Sequence, residues 1–257
     1  HGKNAQQTVL RATEFGRRIP PEIVLTILIE VLRGLDYVHD VRDAEGRPLD
    51  LVHRDVSPAN ILISFDGDVK LTDFGIAKCS LSIAATTVGI VRGKARYLSP
   101  EQILGMPATR RSDIFSAACV AWELLTGEPL FERASVPKTL YAIAHGQRPD
   151  LATLLPFRAP LLVSIVHRAL ATKPEERPSS AAEFAEDLDA ARALLGRPAD
   201  RRRLGAYLRD LFAIEDDAAR TPAPQPLATA TERRDSRAQP TRREDATWPP
   251  GPPSLSA

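Results

Sequence analysis

His53-Arg54-Asp55-Val56-Ser57-Pro58-Ala59-Asn60-Ile61-Leu62-Ile63, followed after a short turn by Val69-Lys70-Leu71-Thr72-Asp73-Phe74-Gly75, is the stretch around which the rest of the chain is organised. Pro58 marks a loop that has a carboxylate, Asp55, at its start and an amide, Asn60, five residues on. Two short apolar runs then flank Asp66-Gly67, the signal of a hairpin between strands. A second carboxylate, Asp73, leads a turn ending in Gly75. Any one of these is an ordinary turn when taken alone. In this order and spacing they supply hard oxygen ligands for a divalent metal and a carboxylate to accept a hydroxyl proton. Those are the needs of a phosphoryl group in transfer, whose negative charge spreads over its oxygens.

His-Arg-Asp with Asn five residues after the Asp, followed by Asp-Phe-Gly, is the protein-kinase signature. The chain resembles the eukaryotic-like serine/threonine protein kinases. The wording His53 to Asn60, together with Gly93-Lys94-Ala95-Arg96-Tyr97-Leu98-Ser99-Pro100-Glu101-Gln102, is most similar to the myxobacterial group of them. The resemblance implies a mainly α fold, a protein-kinase C-lobe-like helical domain with short β-hairpins at the catalytic loop. It implies ATP and Mg2+ as cofactors and a protein as substrate. Asp55 would accept the substrate hydroxyl proton, Asn60 and Asp73 would hold the metal, and Leu62 would floor the adenine pocket, the alternative being a plain core leucine.

The rest of the chain is read on the same frame. Residues 6–17 suggest a short helix and a loop. Pro20-Pro21 opens a long helix from Glu22 to His39, in which Ile23, Ile27, Val31, Leu35 and Val38 recur at helical spacing. Residues 43–50 form a polar connector, and residues 76–92 a loop bearing Ser80, Ser82, Thr86 and Thr87, candidate phosphate acceptors beside Arg54. By the resemblance, Gly93 to Glu101 contacts the peptide substrate, and Glu101 pairs with a buried Arg177. Ser112-Asp113 precedes an apolar helix that Gly127 stops. Asp113 is either its N-cap or, by the resemblance, an anchor for the catalytic-loop backbone. Further helices are expected over residues 136–145, 160–171, 179–195 and 199–214, the last amphipathic and packing rather than membrane-bound. Residues 1–214 then form the kinase-like lobe with its closing helix, and 215–257 a Pro/Ala/Arg-rich disordered tail or linker.

Composition sets the limits. The chain has 257 residues, is 43% hydrophobic and carries a formal net charge of +1. That content suffices for a sizeable core, and the charge balance gives no reason to expect a nucleic-acid partner. Cys79 and Cys119 have no zinc-like spacing and make no disulfide framework, which fits a cytoplasmic protein. No run of apolar residues is long enough for a membrane span. His1 in place of Met marks the stretch as a fragment or processed piece, and the resemblance, covering about Ala5 to Leu195, stops at one lobe. Gly2, Gly16, Gly34 and Gly46 make no G-x-G-x-x-G, so the lobe that clamps ATP is expected from the parent chain.

Three positions depart from the family pattern. The loop lysine two residues past the catalytic Asp is Ser57, the Thr after Gly93 is Lys94, and an acidic residue common before Asn60 is Ala59. Ser57 removes a cation beside the transferring phosphate. Lys94 is either its replacement from the other side of the site or a solvent-facing side chain. The expectation is a protein kinase with Asp55, Asn60, Asp73 and Lys94 as its chemistry; the alternative is a pseudokinase-like scaffold.

Overall fold

The computed structural model describes residues 1–74, 92–196 and 199–220. The chain divides into two units, His1–Ala219 and Arg220–Ala257. Apart from the backbone of Arg220, the second unit lies outside the described residues, and with it residues 221–257 of the expected disordered tail.

Two helices form the centre of the first unit. α2, Pro21–His39, follows an extended Pro20 that sets its entry, and it buries twelve of its residues, among them Ile23, Ile27, Val31 and Leu35. Helix α5, Arg110–Thr126, starts in a capping box between Thr109 and Ser112 and is buried from Ser112 through Thr126. It ends where Gly127 takes φ 84°, a conformation open to glycine at little cost. A helix buried on every side belongs at the middle of a domain, and α5 packs against α2, α8 (Pro160–Ala169) and α9 (Ala181–Leu194). Trp122, Phe115, Phe131 and Phe184 fill this core.

A three-stranded antiparallel sheet stands at one side. β1, Gly2–Asn4, pairs with β2, Ile61–Ser64, which pairs with β3, Val69–Leu71. Ile61 faces Leu71 and Ile63 faces Val69, so Ile61 and Ile63 turn into the core while Leu62 stands 45% exposed. Strand β1 carries too few residues to show an alternating pattern, so sequence gave no sign of it. Asn4 ends it and at once caps α1, Ala5–Glu14, in a reciprocal bond with Gln7.

The connector expected over residues 43–50 lies in a segment, residues 41–49, that closes on itself. Leu49 N–H donates to Val41 and Asp43 N–H to Arg47, while the Asp43 carboxylate accepts from the backbone of Glu45 and Arg47. Short helices α3 (Arg92–Ala95), α4 (Pro100–Ile103) and α7 (Leu151–Leu154) are single turns that no period could announce. Helix α6 spans Val136–Ala144. The last helix among the described residues, α10, runs from Arg201 to Arg220, past the lobe boundary expected at 214, so residues 215–220, expected to begin the disordered tail, continue the helix.

Candidate active site

One carboxylate fixes the entry of the loop that carries Asp55. Asp113 is fully buried at the start of α5, and its two oxygens accept from three donors. Oδ1 takes the Arg54 backbone N–H at 2.8 Å. Oδ2 takes the His53 N–H and lies 2.8 Å from His39 Nε2. Of its two readings, the anchor is the one the structure bears out. These bonds hold Arg54 at φ 65°, a conformation a non-glycine side chain adopts only when its surroundings impose it. His39, at the last turn of α2, belongs to this anchor and was missed in the sequence, where a histidine closing a helix looks ordinary.

His53 carries the order across to the second carboxylate. Its Nε2 is 3.1 Å from the Thr72 carbonyl, and its Nδ1 accepts the Asp55 N–H at 3.3 Å. A carbonyl needs a donor and an N–H needs an acceptor, so the ring is neutral with its proton on Nε2. Burial, opposed by the nearby Asp113 carboxylate, lowers its pKa and keeps it so. The ring also lies 4.5 Å from that of Phe74, centroid to centroid.

The hairpin gathers the remaining groups. Asn60 precedes β2 and Thr72 follows β3. The Asn60 carbonyl accepts both the Thr72 N–H at 2.9 Å and the Thr72 hydroxyl at 3.2 Å. This seam brings the backbone of Asp73, at φ 60°, beside that of Asn60. The Asn60 amide donates its nitrogen to the Asp55 carbonyl at 2.8 Å, leaving its oxygen, a hard donor, for a ligand. No group of three or more His, Cys, Asp or Glu able to hold a metal occurs among the described residues. A pair of oxygen side chains that leaves most of the coordination sphere to phosphate and water suits magnesium, which dehydrates reluctantly.

Lys94 reaches the loop from the far side. Its Nζ lies 2.7 Å from Asp55 Oδ2, the carboxylate being largely enclosed and the lysine half exposed. The Ser57 hydroxyl, two residues past Asp55, is buried without a hydrogen-bond partner among the described residues. Ser80, Ser82, Thr86, Thr87 and Cys79 lie outside the described residues.

The segment after Lys94 is locked from below. Glu101 accepts a two-pronged bond from Arg177 at 2.8 and 2.9 Å and a third from the Ser112 hydroxyl at 2.6 Å. Arg177 also donates to the carbonyls of Ala171, Thr172 and Arg111 and lies over the Phe115 ring. Burial alone would raise the Glu101 pKa; the bonds from Arg177 and Ser112 outweigh it and hold the carboxyl below its usual range. Tyr97 donates its hydroxyl to the buried Glu123, whose pKa burial raises. That pair was also missed, because a Glu inside an apolar helix gives no hint of its partner.

A helical core, a loop hung from a buried Asp, and two oxygen-bearing side chains at the ends of one hairpin together make a helical fold like the larger lobe of a phosphotransferase. The protein kinase domain family matches residues 4–188, and the chain belongs to that family. MasK of Myxococcus xanthus, named a tyrosine-protein kinase, is 35% identical over 230 residues, 90% of this chain and 35% of its own length. PknL of Mycobacterium tuberculosis, named a serine/threonine-protein kinase, is 37% identical over 180 residues, 70% of this chain and 43% of its own length. The chain thus spans less than half the length of these relatives. The crystal structure of the kinase domain of Mycobacterium tuberculosis PknI superposes with a TM-score of 0.53 at 30% identity, covering 74% of this chain and 62% of that one.

Proposed function

We propose that this stretch is the substrate- and metal-holding lobe of a protein kinase that transfers the γ-phosphoryl group of ATP to a protein hydroxyl. The observation that carries the reading is the pinned loop: Asp113, His53 and the hairpin hold Asp55, Asn60 and Asp73 on backbone bonded at both ends. A scaffold that did no chemistry would need neither the two oxygen ligands nor the carboxylate beside them.

In this reading the acceptor hydroxyl gives its proton to the Asp55 carboxylate as its oxygen bonds to the γ-phosphorus. The bond from that phosphorus to the bridging oxygen breaks, and ADP leaves. Asn60 and Asp73 would hold magnesium, which supplies charge neutralisation at the phosphate oxygens. Lys94 supplies the cation that Ser57 lacks: its ammonium orients Asp55 and opposes the charge gathering on the transferring group. Leu62, exposed on the outer face of β2, serves as the floor for adenine. A lobe carrying the Gly-rich loop and strand lysine is supplied by the parent chain.

Serine and threonine are the acceptors in this reading, as in the name of PknL; the name of MasK makes tyrosine the competing class. The test is phosphate transfer by the chain joined to its N-terminal lobe, with Ser, Thr and Tyr peptides side by side. Transfer to Ser or Thr that Asp55→Ala abolishes supports the reading. A second reading, a pseudokinase-like scaffold, is favoured for the stretch alone by the absence of any G-x-G-x-x-G in its sequence. Partner capture that survives Asp55→Ala and Asp73→Ala, without transfer in any form, would establish it.

A further inference from the structure

Helix α10 lies beyond residues 4–188, the span that matches the kinase family. It is nonetheless built into the core: Leu204, Leu208, Leu211 and Phe212 are all buried. The stretch shared with MasK is long enough that it necessarily takes in α10. What the helix touches is specific. Arg201 pairs with Asp68 at 2.6 Å and its Nε donates to the Asp66 carbonyl at 3.4 Å. Arg209 donates to the Phe65 carbonyl, and Arg203 donates to the buried Glu22 at the start of α2 at 2.8 Å. The Lys3 ammonium of β1 sits 4.8 Å from the centre of the Phe212 ring. Residues 65–68 are the turn between β2 and β3.

Two glycines make this approach possible. A Cβ on Gly205 would stand 2.5 Å from the Phe65 carbonyl oxygen and 2.9 Å from the Asp66 carbonyl carbon. Gly67, at φ +86°, would drive a Cβ into the Arg201 carbonyl. Glycine in a helix interior costs about 1 kcal/mol against alanine, so Gly205 is unfavourable for the helix by itself and is explained by the contact with the turn.

We infer that α10 is a positioning element for the nucleotide side of the site, acting through the turn that joins β2 and β3. The turn fixes the hairpin, the hairpin fixes the outward face of Leu62 and the seam from Asn60 to Thr72, and β1 pairs along the same strand. Backbone pressed on backbone has little give, so a shift at Gly205 passes into all three. The nucleotide part of the inference rests on the function proposed above; the mechanical part does not.

The experiment is Gly205→Ala, read in two ways. Alanine favours the helix by itself, so any loosening in this variant comes from its clash with the turn and not from the helix. On the 257-residue chain, amide hydrogen exchange of residues 61–71 should rise about tenfold while the amides of α5 keep their protection. In the kinase joined to its N-terminal lobe, the KM for ATP should rise about fivefold with kcat held within about twofold. Arg201→Ala with Arg209→Ala, at the edge of the contact and away from the core, should move both readings the same way by a smaller factor. Unchanged exchange over residues 61–71 in both variants overturns the inference. Faster exchange over 61–71 with an unaltered KM overturns its nucleotide part. A complete absence of phosphate transfer in every form, with the exchange effect intact, counts against the proposed function and leaves the clamp standing.

Discussion

Lys94 Nζ and Asp55 Oδ2 lie 2.7 Å apart, joining two segments 39 residues apart in the chain. The pair sits where Ser57 leaves the loop without its own cation, and Ser57 keeps a buried hydroxyl with no partner among the described residues. If Lys94 acts on charge that builds in the transition state, Lys94→Ala in the kinase with its N-terminal lobe lowers kcat by roughly ten- to a thousandfold with the KM for ATP little changed. Ser57→Lys then partly restores the rate of Lys94→Ala. A two-by-two kinetic cycle measures both effects, and undiminished kcat in Lys94→Ala removes Lys94 from the mechanism.

Asp113 anchors the loop that carries Asp55. Asp113→Ala strands the buried His53 N–H, the partly buried Arg54 N–H and His39, so stability should fall by about 3–5 kcal/mol, measured by urea unfolding. Asp113→Asn keeps one acceptor oxygen and should lose less. Equal, small losses in the two variants would show that the loop holds without this carboxylate.

The Glu101 and Arg177 pair makes stability depend on acid. The folded carboxyl titrates below the usual glutamate value of 4.5, so the unfolded chain takes up the proton first. The stabilisation is therefore complete above that value and is lost as pH falls through the folded pKa. Glu101→Gln with Arg177→Met should flatten this part of the stability curve below pH 4.5, as followed by thermal unfolding at stepped pH. Arg177→Met alone leaves a buried carboxylate unpaired and should cost about 3–5 kcal/mol. An acid limb that persists in the double variant assigns it to other groups.

Much of this lobe is legible in the sequence because its signals are local. The period of α2, the Pro at its start, the Asp66-Gly67 turn and the Gly127 stop each announce themselves within a few residues. What joins them is not local. The resemblance pointed to Glu101 with Arg177 and to Asp113 under the loop, and the structure bears both out. Nothing pointed to His39 on Asp113, or to Tyr97 on Glu123, since each partner alone is an unremarkable residue. The single-turn helices and β1 are shorter than any period, and the closed loop over residues 41–49 depends on the Asp43 side chain accepting from nearby backbone. Gly205 shows the limit most plainly: it weakens a helix until the turn at Phe65 is in place.

The most direct test of the central claim is the rate of phosphate transfer from Mg-ATP to a protein acceptor, measured for the 257 residues joined to the N-terminal lobe that the proposed function calls for and for the 257 residues alone. The joined form should transfer, and Asp55→Ala and Asp73→Ala should each reduce the rate by at least about a hundredfold, while the 257 residues alone transfer nothing above background. A joined form whose rate survives both substitutions, or isolated residues whose transfer Asp73→Ala abolishes, would contradict the account.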